Sequence, residues 1–242
     1  MKLSDLISDD NFDCIGNLSN EDLSDQINVF VGDNGVGKSQ LLNNICSYAN
    51  KNSDANWEMV GSEQQPYYND MLRMTQICLN NPESRTKLFE LLVGIESEFI
   101  DLSVCGGEIM VQVTYHRELI TVNKLGRGFN QAFKIGLVSI TVNNGFVFID
   151  DIENFLHYRS QLALASFICN AATETNNQYF ITTHSNDFIK SIVMCATGSD
   201  QVSMAVIRLG ETAKYSKRGT IVANVFSAKE VANLIKLGGD IR

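Results

Sequence analysis

The sequence predicts an α/β fold built on a mostly parallel central sheet flanked by helices, and three apolar runs carry that prediction. Ile27-Asn28-Val29-Phe30-Val31, Phe146-Val147-Phe148-Ile149 and Tyr179-Phe180-Ile181 are short and rich in β-branched and aromatic residues. Runs of this kind, interrupted only by Asn28, suit strands covered on both faces, as in a parallel sheet. Each ends abruptly in glycine or polar residues, as strands do where they reach the ligand-bearing edge of an open α/β sheet.

The first run opens into Gly32-Asp33-Asn34-Gly35-Val36-Gly37-Lys38-Ser39. This is a complete G-x-x-x-x-G-K-[ST] phosphate-binding loop, preceded by a strand and followed by Leu41, Leu42 and Ile45 at helical spacing. The glycines let the backbone curl so that its N–H groups converge on an anion, and the next helix adds its positive end. Lys38 is expected to reach the β- and γ-phosphates, and Ser39 to offer a hydroxyl to Mg²⁺. Gly32, Asp33, Asn34, Gly35, Val36, Gly37, Lys38, Ser39 and Gln40 are therefore the expected nucleotide contacts. The guanine-reading N-K-x-D pattern is not met, because the nearest string, Asn123-Lys124-Leu125-Gly126, lacks the aspartate. Adenine, and so ATP, is favoured.

The second run ends in Asp150-Asp151. Asp150 is expected beside Lys38 and Ser39, holding Mg²⁺ through its water shell. Asp151 is expected to orient or deprotonate the attacking water, with Glu153 two residues on as a substitute for it. The competing reading is a core strand capped by a helix-initiating aspartate. The third run continues Thr182-Thr183-His184-Ser185. His184 is expected to contact the γ-phosphate or the attacking water, against the plainer reading of a structural histidine at a strand end. A helix is expected from about Arg159 to Thr173.

Bulk properties bound what else the chain can be. Its 242 residues suit one α/β domain spanning 1–242, and two prolines and no repeat or low-complexity tract leave no visible boundary. Net charge is −9, which disfavours nucleic acid as a partner. The six cysteines are scattered singly, so reduced thiols are expected. The acidic start and the lack of a long apolar run point to a cytoplasmic protein with no membrane span. Between about 51 and 105 lies a small helical lobe, with amphipathic helices expected over Tyr67–Asn80 and Glu83–Asp101. No heptads for a coiled coil and no nuclease constellation are visible.

The order GDNGVGKS, LGRGFNQ, FVFIDDIENFLH and YFITTHS resembles the ABC-type ATPases. More narrowly, it is similar to the small AAA-type branch related to the overcoming-lysogenisation-defect proteins and to SMC/RecF-type heads. The closing Gly239-Asp240-Ile241-Arg242 also resembles that branch. The resemblance implies a P-loop NTPase fold with an antiparallel β portion, and a homodimer that sandwiches two ATP molecules. In such dimers a signature turn from one subunit covers the nucleotide on the other. Here that turn is Leu125-Gly126-Arg127-Gly128-Phe129, between a strand over Glu118–Val122 and a helix over about Phe129 to Ile140. Gly126, Arg127 and Gly128 would touch phosphate in trans, although the usual serine is missing and Arg127 stands where a small residue is expected. Asp151 also departs from the family's glutamate, which implies slow hydrolysis. Many stand-alone relatives belong to anti-phage operons, which suggests a separately encoded effector such as a nuclease or toxin. A nucleotide-stabilised scaffold and a DNA-repair head are the alternatives.

Overall fold

A computed structural model describes residues 18–52, 55–61, 66, 68–199, 201–211 and 221–241. Phe12, a candidate to cover the adenine ring, Gln64 and Gln65, candidates with Gln76 for the family's Q-loop glutamine, and the small basic cluster of Lys214, Lys217 and Arg218, read as an ordinary solvated one, lie outside the described residues, apart from Gln76. In chain order the elements are β1 (Ile27–Val31), α1 (Lys38–Asn52), β2 (Trp57–Val60), α2 (Tyr68–Asn80), α3 (Pro82–Ile95), β3 (Phe99–Cys105), β4 (Glu108–Val113) and β5 (Ile120–Thr121). There follow α4 (Arg127–Thr141), β6 (Phe146–Ile149), α5 (Tyr158–Glu174), β7 (Gln178–Thr182), α6 (Asn186–Gly198), β8 (Met204–Glu211), β9 (Ile221–Ser227) and α7 (Ala228–Lys236).

Six strands form the central sheet in the order β2-β6-β7-β1-β8-β9. Every neighbouring pair is parallel except β8 with β9. Alternation along the strands assigns their two faces. Ile27, Val29, Val31, Val147, Ile149, Tyr179 and Ile181 join the larger core beneath α4 to α7. Phe30, Phe146, Phe148 and Phe180 face the other way and meet Leu41, Leu42 and Ile45 of α1. Phe148 and Phe180 stack with ring centroids 5.2 Å apart, giving α1 an aromatic floor. Asn28 is fully buried mid-strand, and its amide is satisfied by the Ser24 backbone at both ends, accepting from N at 2.7 Å and donating to O at 2.8 Å.

A second, antiparallel sheet of β3, β4 and β5 packs with α2, α3 and α4. The segment from 51 to 105 thus differs from a purely helical lobe. Trp57–Val60 adds a parallel edge strand beside β6, and Phe99–Cys105 leaves the helix to pair with β4. Helix α3 starts where expected, because Asn81 Oδ1 caps the Glu83 and Ser84 N–H groups and Pro82 fills the first turn. It stops at Ile95 rather than running to Asp101, and the buried Phe99 packs edge-on against Phe89 with centroids 5.2 Å apart. The strand expected over Glu118–Val122 shrinks to Ile120–Thr121, and a 3₁₀ turn over Val122–Leu125 takes up the rest.

Candidate functional site

The phosphate loop leaves β1 at Gly32 and enters α1 at Lys38. Gly32, Gly35 and Gly37 adopt φ values of 143°, 81° and 97°, a region that side chains other than glycine rarely occupy. Gly32 is excluded from replacement twice over, since a Cβ there would lie 2.5 Å from the Leu209 carbonyl oxygen. Asp33, Asn34, Gly35 and Gln40 are exposed along the loop and first turn, while Val36 is buried under α1. Lys38 is 7% exposed and donates to the carbonyl oxygens of Gly32 at 2.9 Å and Asp33 at 3.0 Å. Its ammonium therefore sits inside the loop that it is meant to serve.

Asp150 stands at the end of β6 and is also 7% exposed. Its Oδ1 accepts from Ser39 Oγ at 2.9 Å and from Thr182 Oγ1 at 2.6 Å. The same Thr182 hydroxyl accepts from the Asp151 backbone N–H at 2.8 Å. The strand order explains this. β7 lies between β1 and β6, so the end of β7 is the natural bridge between the phosphate loop and the acidic pair. Ser39 Oγ and Asp150 Oδ1 together form a hard oxygen pair of the kind Mg²⁺ selects, so these residues fit that ion.

Asp151 takes φ +48°, turning its side chain out of the strand direction. Glu153 would face another way if β6 continued past Asp151, but the strand ends at Ile149 and a turn follows. Glu153 instead swings under His184. Its carboxylate accepts from Thr183 Oγ1 at 2.6 Å and from the His184 backbone N at 2.8 Å, and lies 2.7 Å from His184 Nδ1. Asp151 Oδ1 is 3.8 Å from the same nitrogen. Burial raises the Asp151 carboxyl above its ordinary value, and repulsion from Asp150 and then Glu153 adds to this, partly offset by His184 and Lys38. His184, Gly32, Asp33, Asn34 and Asp240 line a cleft of about 330 Å³.

Sequence reasoning missed Thr182, Thr183 and Asp240. The two threonines stand in the quoted Thr182-Thr183-His184-Ser185 string, but their roles depend on which strand lies between which. The Leu156-His157 pair offers two readings of the histidine, an orienter of Asp150 or Glu153 or a buried residue satisfying a helix start, and the structure gives it the helix start without the burial. It is exposed, and its Nδ1 instead accepts from the Arg159 N–H at 3.4 Å as the N-cap of α5.

Gly126 (φ 92°) ends the 3₁₀ turn and caps α4, with Arg127 and Gly128 as the first helical residues. A Cβ on Gly128 would sit 2.5 Å from the Phe155 carbonyl oxygen, and the Arg127 guanidinium lies 5.1 Å from the Phe155 ring centroid. The turn is thus held against the segment that follows Asp151 and Glu153. It does not line the cleft of Gly32 and His184 in the same chain: Gly126 and Arg127 line a separate depression of about 460 Å³ with Asn123, Asn130, Gln131, Lys134 and Phe155.

The AAA ATPase domain model matches residues 62–189, more than half of the chain. The chain belongs to the AAA ATPase domain family. The match takes in the glycine turn before α4, both aspartates after β6 and His184, and begins downstream of the phosphate loop. Relatives of this AAA ATPase domain include an uncharacterised protein of Methanocaldococcus jannaschii, MJECL11, which is 38% identical over 66 residues, 27% of this chain and 57% of that protein. The chain thus spans little more than half of that relative. Among solved structures, an SMC head bound to the C-winged helix domain of ScpA matches with TM-score 0.57 at 10% identity, over 87% of this chain and 93% of that one. RNase-L Inhibitor matches with TM-score 0.53 at 17% identity, over 88% and 37%. The fold is that of an ABC-type ATPase head related to SMC heads. No helix among the described residues is long and apolar enough to cross a membrane.

Proposed function

We propose that this chain is a Mg²⁺-dependent ATP-hydrolysing switch that dimerises around ATP. The observation that carries the reading is the Asp150 carboxylate, bonded at once by Ser39 from the phosphate loop and Thr182 from the intervening strand. That junction supports Ser39 and Asp150 as the holders of Mg²⁺, which when bound would neutralise phosphate charge. Lys38 exchanges its two loop carbonyls for phosphate oxygens. Asp151, at the next position, orients the attacking water and accepts its proton. Glu153 positions His184 through Nδ1, leaving Nε2 as the ring nitrogen for the γ-phosphate. Gly126, Arg127 and Gly128 of one copy complete the site of a second copy, using the positive end of α4. Asp151 is one methylene shorter than glutamate, and misplacement on the order of an ångström can cost about a hundredfold, so turnover is slow. A long-lived ATP-bound dimer then presents a surface to an effector, such as a nuclease or toxin in anti-phage defence. A nucleotide-stabilised scaffold is the second reading, favoured by the same short acid.

Solution mass with Mg²⁺–ATP tests this for wild type, Asp151→Asn and Lys38→Ala. A dimer that forms with ATP, persists longer in Asp151→Asn and vanishes in Lys38→Ala supports the switch. Equal persistence in wild type and Asp151→Asn transfers the reading to the scaffold. No nucleotide binding by wild type overturns both.

A further inference from the structure

Asp151 and Glu153 lie in the turn after β6, and His184 follows β7, the parallel strand beside it. Glu153 Oε1 lies 2.7 Å from His184 Nδ1, and Asp151 Oδ1 lies 3.8 Å from the same nitrogen. One ligand atom from each of the three residues falls within 4.8 Å of the other two. No other such set of three histidine, cysteine, aspartate or glutamate side chains occurs among the described residues. Ser39 and Asp150 stand apart from it in chemistry. They form an all-oxygen pair of the kind Mg²⁺ takes, whereas this set brings an imidazole nitrogen.

We infer that Asp151, Glu153 and His184 form a second cation site, one that takes Zn²⁺, and that its occupant holds ATP hydrolysis back. Donor atoms on one tetrahedral zinc, each about 2.0–2.1 Å from the ion, sit roughly 3.3 Å apart. The distances to Nδ1, 2.7 and 3.8 Å, fall on either side of that value, so small side-chain rotations bring the set into place. Two carboxylates and one imidazole, with a fourth position left for water, is a ligand count that zinc accepts. Mg²⁺ prefers oxygen and keeps its own waters, so an imidazole disfavours it here. The contacts that orient such ligands are already made. Thr183 Oγ1 donates to Glu153 Oε2 at 2.6 Å, and the His184 backbone N–H donates to Glu153 Oε1 at 2.8 Å. Thr182 Oγ1 accepts from the Asp151 N–H at 2.8 Å and fixes the turn that carries this acid. The Glu153 side chain is nearly buried, whereas His184 is exposed, so the cation enters past the imidazole. It replaces the proton that Nδ1 shares with Glu153, and that proton goes to solvent. An occupied site denies Asp151 to the attacking water. This last consequence rests on the ATPase reading above; the binding does not.

The test is titration of the full chain with Zn²⁺ in excess Mg²⁺ and without nucleotide, followed through the ring nitrogens of its three histidines in ¹H–¹⁵N spectra. One Zn²⁺ per chain should shift the His184 ring signals and leave those of His116 and His157 in place. His116 and His157 are both exposed, so His116→Gln and His157→Gln assign the signals without disturbing the core. Co²⁺ in place of Zn²⁺ should give the weak visible bands of nitrogen and oxygen ligation and no thiolate charge-transfer band. Glu153→Gln and His184→Gln should weaken Zn²⁺ binding at least about tenfold, whereas Ser39→Ala should bind it as wild type does. With Mg²⁺–ATP present, one equivalent of Zn²⁺ should lower turnover at least about tenfold while ATP stays bound. An unmoved His184 ring, binding that survives in both ligand variants, or a thiolate band with Co²⁺ overturns the site. Binding with turnover unchanged overturns the inhibitory role. Absence of turnover in wild type without zinc counts against the ATPase reading and leaves the binding result standing. Because the ring shifts are read on wild type, a ligand variant that folds poorly does not decide the outcome.

Discussion

His184 turns its Nδ1 to Glu153 Oε1 at 2.7 Å, and stands 3.8 Å from Asp151 Oδ1. The two acids therefore hold different stations. Glu153 spends its carboxylate on Thr183, the His184 backbone and the His184 ring, and is 9% exposed, whereas the Asp151 side chain is 31% exposed. Asp151→Asn should lower steady-state ATP turnover by about a hundredfold or more, with ATP affinity little changed. Glu153→Gln should cost nearer tenfold, through a misdirected His184. If Glu153→Gln proves the more damaging of the two, the water-orienting role belongs to Glu153.

Asp151 also predicts a pH effect on stability. Its carboxyl is raised by burial and by its acidic neighbours, so folding strengthens its hold on a proton. Below the ordinary carboxylate value both states are protonated and the group costs nothing. As pH rises through the window up to its raised folded value, stability is lost. Asp151→Asn should therefore melt higher than wild type at neutral pH, with the gain closing in acid. Asparagine also tolerates the left-handed backbone at this position, so the substitution adds no strain. A gain that persists in acid would assign the effect to something other than this charge.

Thr182→Val should be costly because one hydroxyl serves two partners, donating to Asp150 Oδ1 and accepting from the Asp151 N–H. A buried polar group stripped of its partner typically costs about 1–3 kcal/mol, so the melting point should fall by several degrees. Mg²⁺-dependent ATP affinity should weaken as well, because Asp150 loses its tether. Thr182→Ser keeps the hydroxyl and should recover most of both. Equal behaviour of the valine and serine variants in calorimetry and nucleotide titration would rule out the bridge.

Gly128→Ala places a methyl 2.5 Å from the Phe155 carbonyl oxygen, a contact with backbone that cannot simply swing aside. The turn before α4 must then shift. ATP binding to the monomer should survive, since Lys38 and Ser39 are untouched, while ATP-dependent dimerisation and turnover should fall at least tenfold. Retention of wild-type dimerisation, measured by light scattering with Mg²⁺–ATP, would count against a role for this turn in trans.

What the sequence disclosed follows from how local each signal is. The strands ending at Val31, Ile149 and Thr182 announce themselves because burial on both faces demands mostly apolar runs, with Asn28 the one polar residue inside them. The functional residues are legible because they sit where those runs stop. Helix α3 reads too long because Leu91, Leu92 and Ile95 keep helical spacing, and nothing local forbids its extension towards Phe99; pairing with β4 decides it. Short edge strands such as Trp57–Val60 carry too few residues for a period. The Thr182 bridge was out of reach for a different reason: it depends on β7 lying between β1 and β6, which is a matter of strand order. The left-handed turn at Asp151, which lets Glu153 reach His184, is likewise invisible in residue types.

The placement of β1 has a consequence for how the molecule is made. Its partners are β7 and β8, so Ile27 pairs with Tyr179 on one side and Met204 on the other. The phosphate loop is thus among the first functional segments to leave the ribosome, and its flanking strand is among the last to find its neighbours. Such long-range pairings slow folding and leave apolar strands exposed while they wait. A nascent chain halted before residue 179 would carry the whole nucleotide motif without the sheet that shapes it. Nucleotide capture should therefore appear late and abruptly during synthesis, once β7 and β8 have closed around β1.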